Sequence, residues 1–490
     1  MKIQRSPSKR NRTLITITRS LARQLRAVFR HALGTSPRGT APAVSVCADE
    51  TGTCIRAKAF DAAVEYHSPG NHPSEEMLLP GEFLADCEGC KEEPVTLEKQ
   101  SDGQVAVNWR DASVPMLTQY AAPEAQRGGQ FPASPAKLTE NPPCLLSALA
   151  QAMETTDPDC SRFATDHIEL RGKAGSTAAT NGRQLLRQSG FKFPWQDAVL
   201  IPRTGAFGCR ELPQDLPVAI GKKDEWVTIR VGPWTVHLRV GKDRRFPNID
   251  NHVPQAAGAV ARLHLAPADA ELLTKALPRL PCDDDLNWPV TIDLNGQVAI
   301  RARAENQPHL TELVLSRSTV SGDPVRFATN RRLLARALKL GFREILMYGP
   351  AAPAMCQDEG RQYVWALLDP HSALKPSDKA VRISSIDGPP ETPATPSPPT
   401  KRRTKPVSET TSSKNGSPSA EDHGRGKAEA KNSASESVDL IEQAEAVKAA
   451  LRDAHTKVSE LIVALKRHQK QFKIVHSTLS SLRQLKAIGA

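Results

Sequence analysis

The sequence predicts an α+β protein built from three tandem copies of one domain, followed by a disordered linker and a C-terminal α-helical coiled coil. The chain of 490 residues exceeds the roughly 250 to 300 residues at which a single core stops growing. Short helical patterns followed by alternating apolar residues recur at domain-sized intervals up to residue 385, and an apolar heptad pattern occupies the C-terminus.

The repeat is visible in three short segments that each precede a helical stretch and paired strands. They are residues 78–80 (Leu-Leu-Pro), 200–202 (Leu-Ile-Pro) and 326–328 (Arg-Phe-Ala), separated by about 122 and 126 residues. We therefore predict domains at 13–128, 129–256 and 257–385, after a basic disordered N-terminus of residues 1–12. Three unrelated α+β domains of similar size are the alternative.

Each repeat is expected to contain a helix, strands, a second helix and further strands. Alternation on both sides of Gly232-Pro233, in residues 226–240, predicts a hairpin with one buried face. In the third repeat, Asn295-Gly296 tolerates the positive φ of a two-residue hairpin turn between alternating runs. The first helices of the three repeats are predicted at 20–33, 144–153 and 267–277.

Five short segments share their order and spacing with one protein family. They are residues 178–185 (Ala-Ala-Thr-Asn-Gly-Arg-Gln-Leu), 199–203 (Val-Leu-Ile-Pro-Arg), 244–249 (Arg-Arg-Phe-Pro-Asn-Ile), the pair Val253-Pro254, and 325–334 (Val-Arg-Phe-Ala-Thr-Asn-Arg-Arg-Leu-Leu). Together they resemble segments of the bacterial DNA sliding clamp, the beta subunit of DNA polymerase III. The resemblance implies three DNA-clamp domains per subunit, with antiparallel sheets outside and helices inside. It also implies a non-catalytic homodimer that closes a six-domain ring around double-stranded DNA as a processivity factor.

Cationic helix faces fit the inner wall of such a ring, because phosphate contacts attract DNA without reading its bases. Arg19, Arg23, Arg26 and Arg30 recur at spacings of four, three and four, with an apolar stripe of Leu21, Leu25, Val28 and Ala32 on the opposite face. The second helix, 144–153, offers no Lys or Arg, and a merely solvated basic face is the alternative interpretation. The third repeat adds Arg332, Arg336 and Lys339, with Arg331 beside them and Lys275 and Arg279 on the preceding helix.

The formal net charge of +11 is unevenly distributed along the chain. Residues 1–38 carry about ten Lys and Arg and no Asp or Glu, residues 39–400 are mildly acidic, and residues 401–490 are basic again. The position of the charges is therefore more informative than their sum.

The resemblance also implies a pocket that receives a short peptide from DNA polymerase and clamp-loader subunits. Thr180, Gly182, Leu185 and Pro254 match pocket positions by motif. Arg183-Gln184 replace the family's usual His-Arg, His252 stands at an apolar position, and residues 363–370 (Tyr-Val-Trp-Ala-Leu-Leu-Asp-Pro) replace a Met-Pro-rich strand. Ordinary core and turn packing is the alternative role of these residues.

Two further segments follow the repeats. Residues 386–436 are rich in Pro, Ser, Thr, Lys and Glu, which predicts a disordered linker. Residues 437–488 keep a four–three apolar spacing, interrupted by His468, which predicts a coiled-coil helix that self-associates or binds a partner helix. Its predicted seam contains Leu440, Val447, Leu451, Val458, Leu461, Leu465, Phe472, Val475, Leu479 and Leu482.

No motif in the sequence indicates an enzyme, a cofactor or a membrane segment. Cys87 and Cys90 have zinc-ligand spacing, and Cys47 and Cys54 lie in the same predicted domain, so a four-cysteine site stays open although we predict no metal. The scattered cysteines and the lack of a signal segment favour a cytoplasmic, nucleoid-associated protein. The alternative function is a clamp-fold scaffold that is not loaded on DNA and acts through its coiled coil.

Overall fold

The computed structural model describes residues 14–35, 41–123, 130–159, 163–305 and 307–386. The predicted N-terminal segment 1–12, nearly all of the predicted linker and the predicted coiled coil with its seam lie outside the described residues. The described residues all belong to one unit of the chain, residues 1–393.

The first repeat has two halves with the same order of elements: a strand, a helix and three strands. The first half comprises β1 (Leu14–Thr18), α1 (Arg19–Ala32), β2 (Val44–Asp49), β3 (Gly52–Lys58) and β4 (Ala62–Pro69). The second half comprises β5 (Glu75–Leu79), α2 (Phe83–Cys87), β6 (Pro94–Lys99), β7 (Val105–Asp111) and β8 (Val114–Tyr120). The halves exchange their first strands, so the strand orders are β1-β6-β7-β8 and β5-β2-β3-β4.

The second repeat follows the same order, with a single 3-10 turn in place of its second helix. Its first half comprises β9 (Thr139–Asn141), α3 (Cys144–Thr155), β10 (His167–Arg171), β11 (Ser176–Thr180) and β12 (Gln184–Ser189). Its second half comprises β13 (Ala198–Pro202), the 3-10 turn Ala206–Gly208, β14 (Val218–Lys223), β15 (Trp226–Val231) and β16 (Trp234–Arg239). The strand orders are β9-β14-β15-β16 and β13-β10-β11-β12, so the exchange of first strands recurs.

The third repeat keeps the order and adds strands at its margins. Its first half comprises β17 (Ala261–His264), α4 (Pro267–Ala276), the 3-10 turn Leu277–Arg279, β18 (Pro289–Asp293), β19 (Ala299–Ala302) and β20 (Thr311–Val314). After β21 (Thr319–Gly322), the second half comprises β22 (Arg326–Asn330), α5 (Arg331–Lys339), β23 (Glu344–Met347), β24 (Ala354–Gln357) and β25 (Arg361–Trp365). A last strand, β26 (Val381–Ser384), follows a 3-10 turn, Pro370–Ser372.

The sheets continue from one repeat into the next. Strand β4 pairs antiparallel with β16, which produces an eight-stranded sheet, and β12 pairs antiparallel with β25, which produces a nine-stranded sheet. At both junctions the last strand of a first half meets the last strand of the next repeat's second half. Backbone ladders across both junctions satisfy the polar groups that sheet edges would otherwise expose.

The helices lie against one another in a single row. Helix α2 contacts α1, α1 contacts the 3-10 turn Ala206–Gly208, and that turn contacts α3. Helix α4 contacts α5, and the guanidinium of Arg336 on α5 reaches Glu154 on α3 at 2.7 Å. We call this succession (α2, α1, the 3-10 turn Ala206–Gly208, α3, α5 and α4) the helix row. The sheets and the helix row enclose one apolar core across the first two repeats and another in the third.

The first helices of the three repeats and the β15–β16 hairpin agree with the sequence prediction, and three details do not. The second helix expected in the second repeat is replaced by the 3-10 turn Ala206–Gly208. Residues 294–298 separate β18 from β19, because Asp293 pairs with Ala299. The turn at Asn295-Gly296 is therefore part of a longer loop. Strand β16 is buried on both faces, since the ring of Phe131 lies edge-on 5.5 Å from His237 on the face that we expected to be exposed.

Candidate functional site

Helix α1 presents a basic face to solvent because its apolar residues pack into the core. It begins at Thr18, whose Oγ1 accepts a hydrogen bond from the backbone N–H of Leu21. Its buried residues are Ala22, Leu25, Val28, Phe29 and Ala32, while Arg23, Arg26 and Arg30 are exposed. The four–three spacing of the arginines therefore produces the amphipathic helix that the sequence predicts.

Arg19, the first residue of the predicted basic stripe, is bound inside the first repeat. Its guanidinium lies 3.1 Å from both Glu93 and Asp111, and it also donates to the backbone carbonyls of Cys87, Glu88 and Arg110. Only 12% of its side chain is exposed. Arg19 thus joins the start of α1 to the loops after α2 and β7, and its hydrogen-bonding groups are already occupied.

The two arginines that begin α5 differ sharply in exposure. Arg331 is 2% exposed and donates to four backbone carbonyls, those of Leu277, Leu280, Pro281 and Pro289. Arg332 is exposed, and its guanidinium carbon lies 4.0 Å from the ring centroid of Trp288. Arg331 therefore holds the loop after α4 in place, whereas Arg332 faces solvent.

Arg336 connects the second and third repeats. It donates to the carboxylate of Glu154 at 2.7 Å, the carbonyl of Gln151 at 2.6 Å and Thr155 Oγ1 at 2.9 Å. Its side chain is 14% exposed. These contacts align α5 with α3 and leave Arg336 little capacity for a further ligand.

The remaining predicted cations are exposed on the helix row and its adjoining turn. Lys275 pairs with Glu271 one helical turn away, while Arg279 and Lys339 are exposed. A groove of about 650 Å³ lies between α3 and α5, with Trp288, Arg332, Arg336 and Lys339 among its lining residues. Seven of the ten predicted DNA-binding residues are thus exposed: Arg23, Arg26, Arg30, Lys275, Arg279, Arg332 and Lys339.

An apolar cluster on the nine-stranded sheet surrounds the predicted peptide-pocket residue Leu185. It comprises Ala178, Leu185, Ile249, Leu346, Met355 and Val364, from the second and third repeats. Phe246, Val253 and Tyr348 are partly buried against it. Among the residues that the structure describes, the hydroxyl of Tyr348 is buried without a hydrogen-bond partner, and burial raises its pKa. A partly covered apolar cluster with an unpaired hydroxyl can receive an apolar side chain together with a polar group.

The turn beside this cluster is fixed by its own hydrogen bonds. Thr180 Oγ1 donates to the carbonyl of Gln184 and accepts from the N–H of Gly182. Gly182 has φ +82°, a conformation that favours glycine. The predicted residues Thr180 and Gly182 therefore shape the turn that leads into Leu185, and Pro254 is half-buried nearby in the chain after the 3-10 turn Asp250–His252.

Asp250 is a positioning residue that sequence analysis did not identify. Its Oδ1 accepts from Arg171 at 2.8 Å and from Arg187 at 3.3 Å. The hydrogen bond from Arg171 contributes most to lowering the pKa of Asp250. These ion pairs fasten the turn that carries Ile249 to the sheet.

Two residues that differ from the family pattern, Gln184 and Tyr363, are hydrogen-bonded to each other. The hydroxyl of Tyr363 donates to Gln184 Oε1 at 2.8 Å, and both residues are buried. Trp365 Nε1 donates to Thr329 Oγ1 at 3.0 Å. Tyr363 and Trp365 thus belong to the core of the β12–β25 junction rather than to the pocket.

The four cysteines of the open zinc hypothesis are distributed over two parts of the first repeat. Cys47 and Cys54 are cross-strand neighbours on β2 and β3, whereas Cys87 is buried at the end of α2. Burial raises the pKa of the Cys87 thiol to about 12. Among the described residues, no group of three or more His, Cys, Asp or Glu side chains has the arrangement of a metal site. No described helix is both long enough and apolar enough to cross a membrane.

Of the comparisons with known proteins, the one with solved structures identifies the fold. No protein-family model and no curated protein matches the chain. The solved DNA polymerase III beta subunit of Pseudomonas aeruginosa matches 72% of this chain and 99% of its own, at 16% identity and a TM-score of 0.60. The sliding clamp of Bacillus subtilis matches 73% of this chain and 100% of its own, at 14% identity and a TM-score of 0.62. The DNA polymerase III beta chain of Streptococcus pneumoniae matches 73% of this chain and 100% of its own, at 12% identity and a TM-score of 0.60. The chain therefore has the fold of the bacterial DNA polymerase III beta sliding clamps, at 12% to 16% sequence identity to these structures.

Proposed function

We propose that this protein is a non-catalytic sliding clamp, a processivity factor that encircles double-stranded DNA and tethers replication or repair proteins to it. In this proposal, domains 13–128, 129–256 and 257–385 of two copies form a ring in the cytoplasm. The observation that carries the proposal is the exposed basic face of the helix row, which lies on sheets that run continuously between repeats.

The exposed cations suit sliding because they attract phosphates without fixing the register of the duplex. Arg23, Arg26 and Arg30 follow one face of α1, and Arg332 and Lys339 follow α5. Each phosphate contact lowers log K by about 0.9 per unit of log salt concentration on duplex DNA. Affinity that comes from these residues should therefore fall steeply as salt rises.

The test is retention on nicked circular DNA in a salt concentration that removes simple electrostatic binding. The expected result is retention on the circle and loss when the circle is linearised, because a closed ring leaves DNA only at an end. Equal retention on circular and linear DNA contradicts encirclement.

A charge-reversal pair tests the basic face. Arg23→Glu, Arg26→Glu and Arg30→Glu together should weaken DNA binding and flatten its salt dependence. The matched control reverses three exposed cations on strands β14 and β15: Lys222→Glu, Lys223→Glu and Arg230→Glu. Equal losses in both variants would indicate a general charge effect and not a role for α1.

We further propose that polymerase and clamp-loader subunits insert a short peptide at the apolar cluster around Leu185. The partly buried residues Phe246 and Val253 and the unpaired hydroxyl of Tyr348 support this site. Phe246→Ser and Val253→Asp should lower capture of a purified polymerase subunit by the immobilised protein. Leu216→Asp, at another exposed apolar position, is the control. Unchanged capture by the first two variants would remove the pocket from the proposal.

The predicted coiled coil, residues 437–488, is proposed to self-associate or to bind a helical partner. Its apolar seam supports this role, because an isolated helix with such a stripe gains stability by burying it. Val458→Pro in the full chain should lower the helical circular-dichroism signal and the capture of the partner. A full helical signal in this variant would contradict the coiled coil.

The second candidate function is a clamp-fold scaffold that is not loaded on DNA. Two observations favour it: helix α3 has no basic residue, and Arg19, Arg331 and Arg336 are occupied by protein contacts. This function predicts no retention on circular DNA together with intact partner capture through the coiled coil.

A further inference from the structure

The open end of the third repeat carries a strand that the other junctions lack. By the pattern of β4–β16 and β12–β25, the strand available for the next junction would be β20, and its counterpart would be β8 of another copy. Strand β26 instead pairs with β20 in parallel, with Ile383 opposite Leu313. Strand β26 therefore forms the outer edge of this sheet.

Several specific contacts hold β26 in place. Arg382 donates to the buried carboxylate of Glu312 at 2.5 Å. Ser385, which is 5% exposed, accepts at Oγ from the N–H of Ser316, and its carbonyl accepts from Arg317 at 2.8 Å. Upstream, the N–H of Leu374 donates to Thr291 Oγ1 on the same sheet. Detaching β26 would break all of these hydrogen bonds and take one cation away from the buried Glu312, so the strand is a fixed part of the sheet.

Within the described part of the chain, β8 and β26 are outermost strands of their sheets, and both expose apolar side chains where the internal junctions bury them. Val64 and Val236 face each other across the β4–β16 junction and are at most 1% exposed, as are Leu186 and Tyr363 across β12–β25. On the open edges, by contrast, side chains are 40% to 57% exposed: Val114 and Met116 on β8, and Val381 and Ile383 on β26. Exposed apolar edges of this kind favour pairing with another chain.

The apolar residues of the two edges also lie on matching faces. Met116 is the cross-strand neighbour of Trp109, and Ile383 is the neighbour of Leu313, so both side chains lie on the core-covering face of their sheets. The backbone N–H groups of Val381 and Ser385 donate to the β20 side, at Leu310 and Val314. Because backbone groups alternate in direction along a strand, the backbone N–H groups of Arg382 and Ser384 point away from β20.

The free edge of β8 can meet these outward groups. The two-residue loop between β7 and β8 makes Asp111 and Val114 a hydrogen-bonded pair, so Pro115, Leu117 and Gln119 direct their backbone outward. Pro115 has no N–H to donate, as expected of a residue on a free edge. Leu117 and Gln119 remain available for a ladder with β26.

We propose that β26 of one copy pairs antiparallel with β8 of a second copy, so that the last strand of the third repeat closes the ring. The joined sheet has nine strands and covers Val114, Met116, Val381 and Ile383. This inference rests on the proposed ring and names the strands that close it.

Site-specific cross-linking in the full chain tests the proposal, because oxidation to a disulfide needs two sulfurs in contact and the coiled coil cannot supply that contact. The protein carrying Met116→Cys is mixed with protein carrying Ile383→Cys and oxidised mildly, beside the wild-type chain with its nine native cysteines. A covalent dimer that forms in the mixture and in neither single variant supports the proposal. Cross-linking of Met116→Cys to Thr311→Cys on β20 in its place would overturn it, since β26 would then be displaced on closure.

A second measurement tests whether the apolar side chains of the two edges contribute to the pairing. With Met116 opposite Ile383, the antiparallel register places Thr118 opposite Val381. Ile383→Asp should therefore weaken the cross-link between Thr118→Cys and Val381→Cys about tenfold or more, because a buried aliphatic side chain is replaced by a charge. Leu286→Asp, a change at a residue equally exposed but far along the chain from both edges, should leave it unchanged. Retention on circular DNA without the Met116–Ile383 cross-link refutes this inference alone. A cross-link without retention refutes encirclement and leaves the strand pairing intact.

Discussion

The third repeat contains a buried ion network whose contribution to the free energy of unfolding can be measured. Arg301 donates to Asp293 and, at 2.5 Å, to Glu312, and the side chains of all three residues are at most 6% exposed. Arg326 also reaches Asp293, and Arg382 reaches Glu312. Arg301→Met keeps most of the side-chain volume but leaves two buried carboxylates with one cation each. Breaking a buried pair from one side costs about 3 to 5 kcal/mol.

The pH dependence of this loss follows from the two carboxyl groups. Burial alone would raise their pKa values, but hydrogen bonds from Arg301 and the second arginine outweigh burial and lower the pKa of both Asp293 and Glu312. Their contribution to stability is therefore present above the unfolded pKa and is lost as pH falls through the folded pKa. In Arg301→Met the pKa values should rise, because the carboxylates lose a cation, so the difference from wild type should shrink on acidification.

Urea unfolding at pH 8 and at about pH 3.5, below the ordinary pKa values of both carboxyl groups, measures both effects. Arg303→Met, at an exposed position two residues away, is the control and should change stability by less than about 0.5 kcal/mol. A loss below about 1 kcal/mol for Arg301→Met at pH 8, or a loss that does not depend on pH, would refute the account of the network.

Three further outcomes are expected. Burial lowers the pKa of His237 to about 4, so stability should fall by up to about 3 kcal/mol as pH drops from about 6.5 to 4. In urea unfolding, His237→Gln should remove this pH dependence, and the control His252→Gln should keep it. Tyr363→Phe should lower the free energy of unfolding by about 1 to 3 kcal/mol, because Gln184 Oε1 loses its hydrogen-bond donor. Adding Gln184→Leu should recover part of this loss in a double-mutant cycle, and strict additivity of the two changes would contradict the pairing. Arg332→Ala should weaken DNA binding in a salt-dependent way, because this residue is exposed. Arg331→Met should lower the thermal unfolding midpoint and leave the DNA affinity of the folded protein unchanged. The reverse pattern would contradict the structural role of Arg331 and the DNA-binding role of Arg332.

Local patterns in the sequence predicted the elements that depend on neighbouring residues. The periodicity of α1 placed Leu25, Val28 and Ala32 in the core and Arg23, Arg26 and Arg30 in solvent. The same periodicity could not separate Arg19 from these arginines, because its partners Glu93 and Asp111 are more than 70 residues away. Arg331 likewise depends on carbonyls 42 to 54 residues away.

The pocket shows the same limit. The Thr180–Gly182 turn is encoded locally by its hydrogen bonds and by a glycine with positive φ, so a short motif identifies it. Gln184 differs from the family pattern, and its role was not predicted because its hydrogen-bond partner, Tyr363, lies 179 residues away. Strand β26 was also missed, since Val381 and Ile383 form too short an alternating run to predict a strand without β20 beside it.

For the proposed clamp function, electrostatic magnitudes divide the arginines into two kinds. Arg26 pairs with Glu88, but its side chain is 44% exposed, and exposed ion pairs contribute only about 0 to 1 kcal/mol. Exchanging that carboxylate for a phosphate therefore costs little, and the contact can form and break as the duplex moves. Arg19 holds five acceptors with its side chain 12% exposed. Arg331 holds four backbone carbonyls at 2% exposure, and withdrawing it would leave buried polar groups unpaired, at about 1 to 3 kcal/mol for each group. In the proposed clamp, a wall over which DNA slides would need cations of the first kind, and the arginines of the second kind would hold that wall in shape.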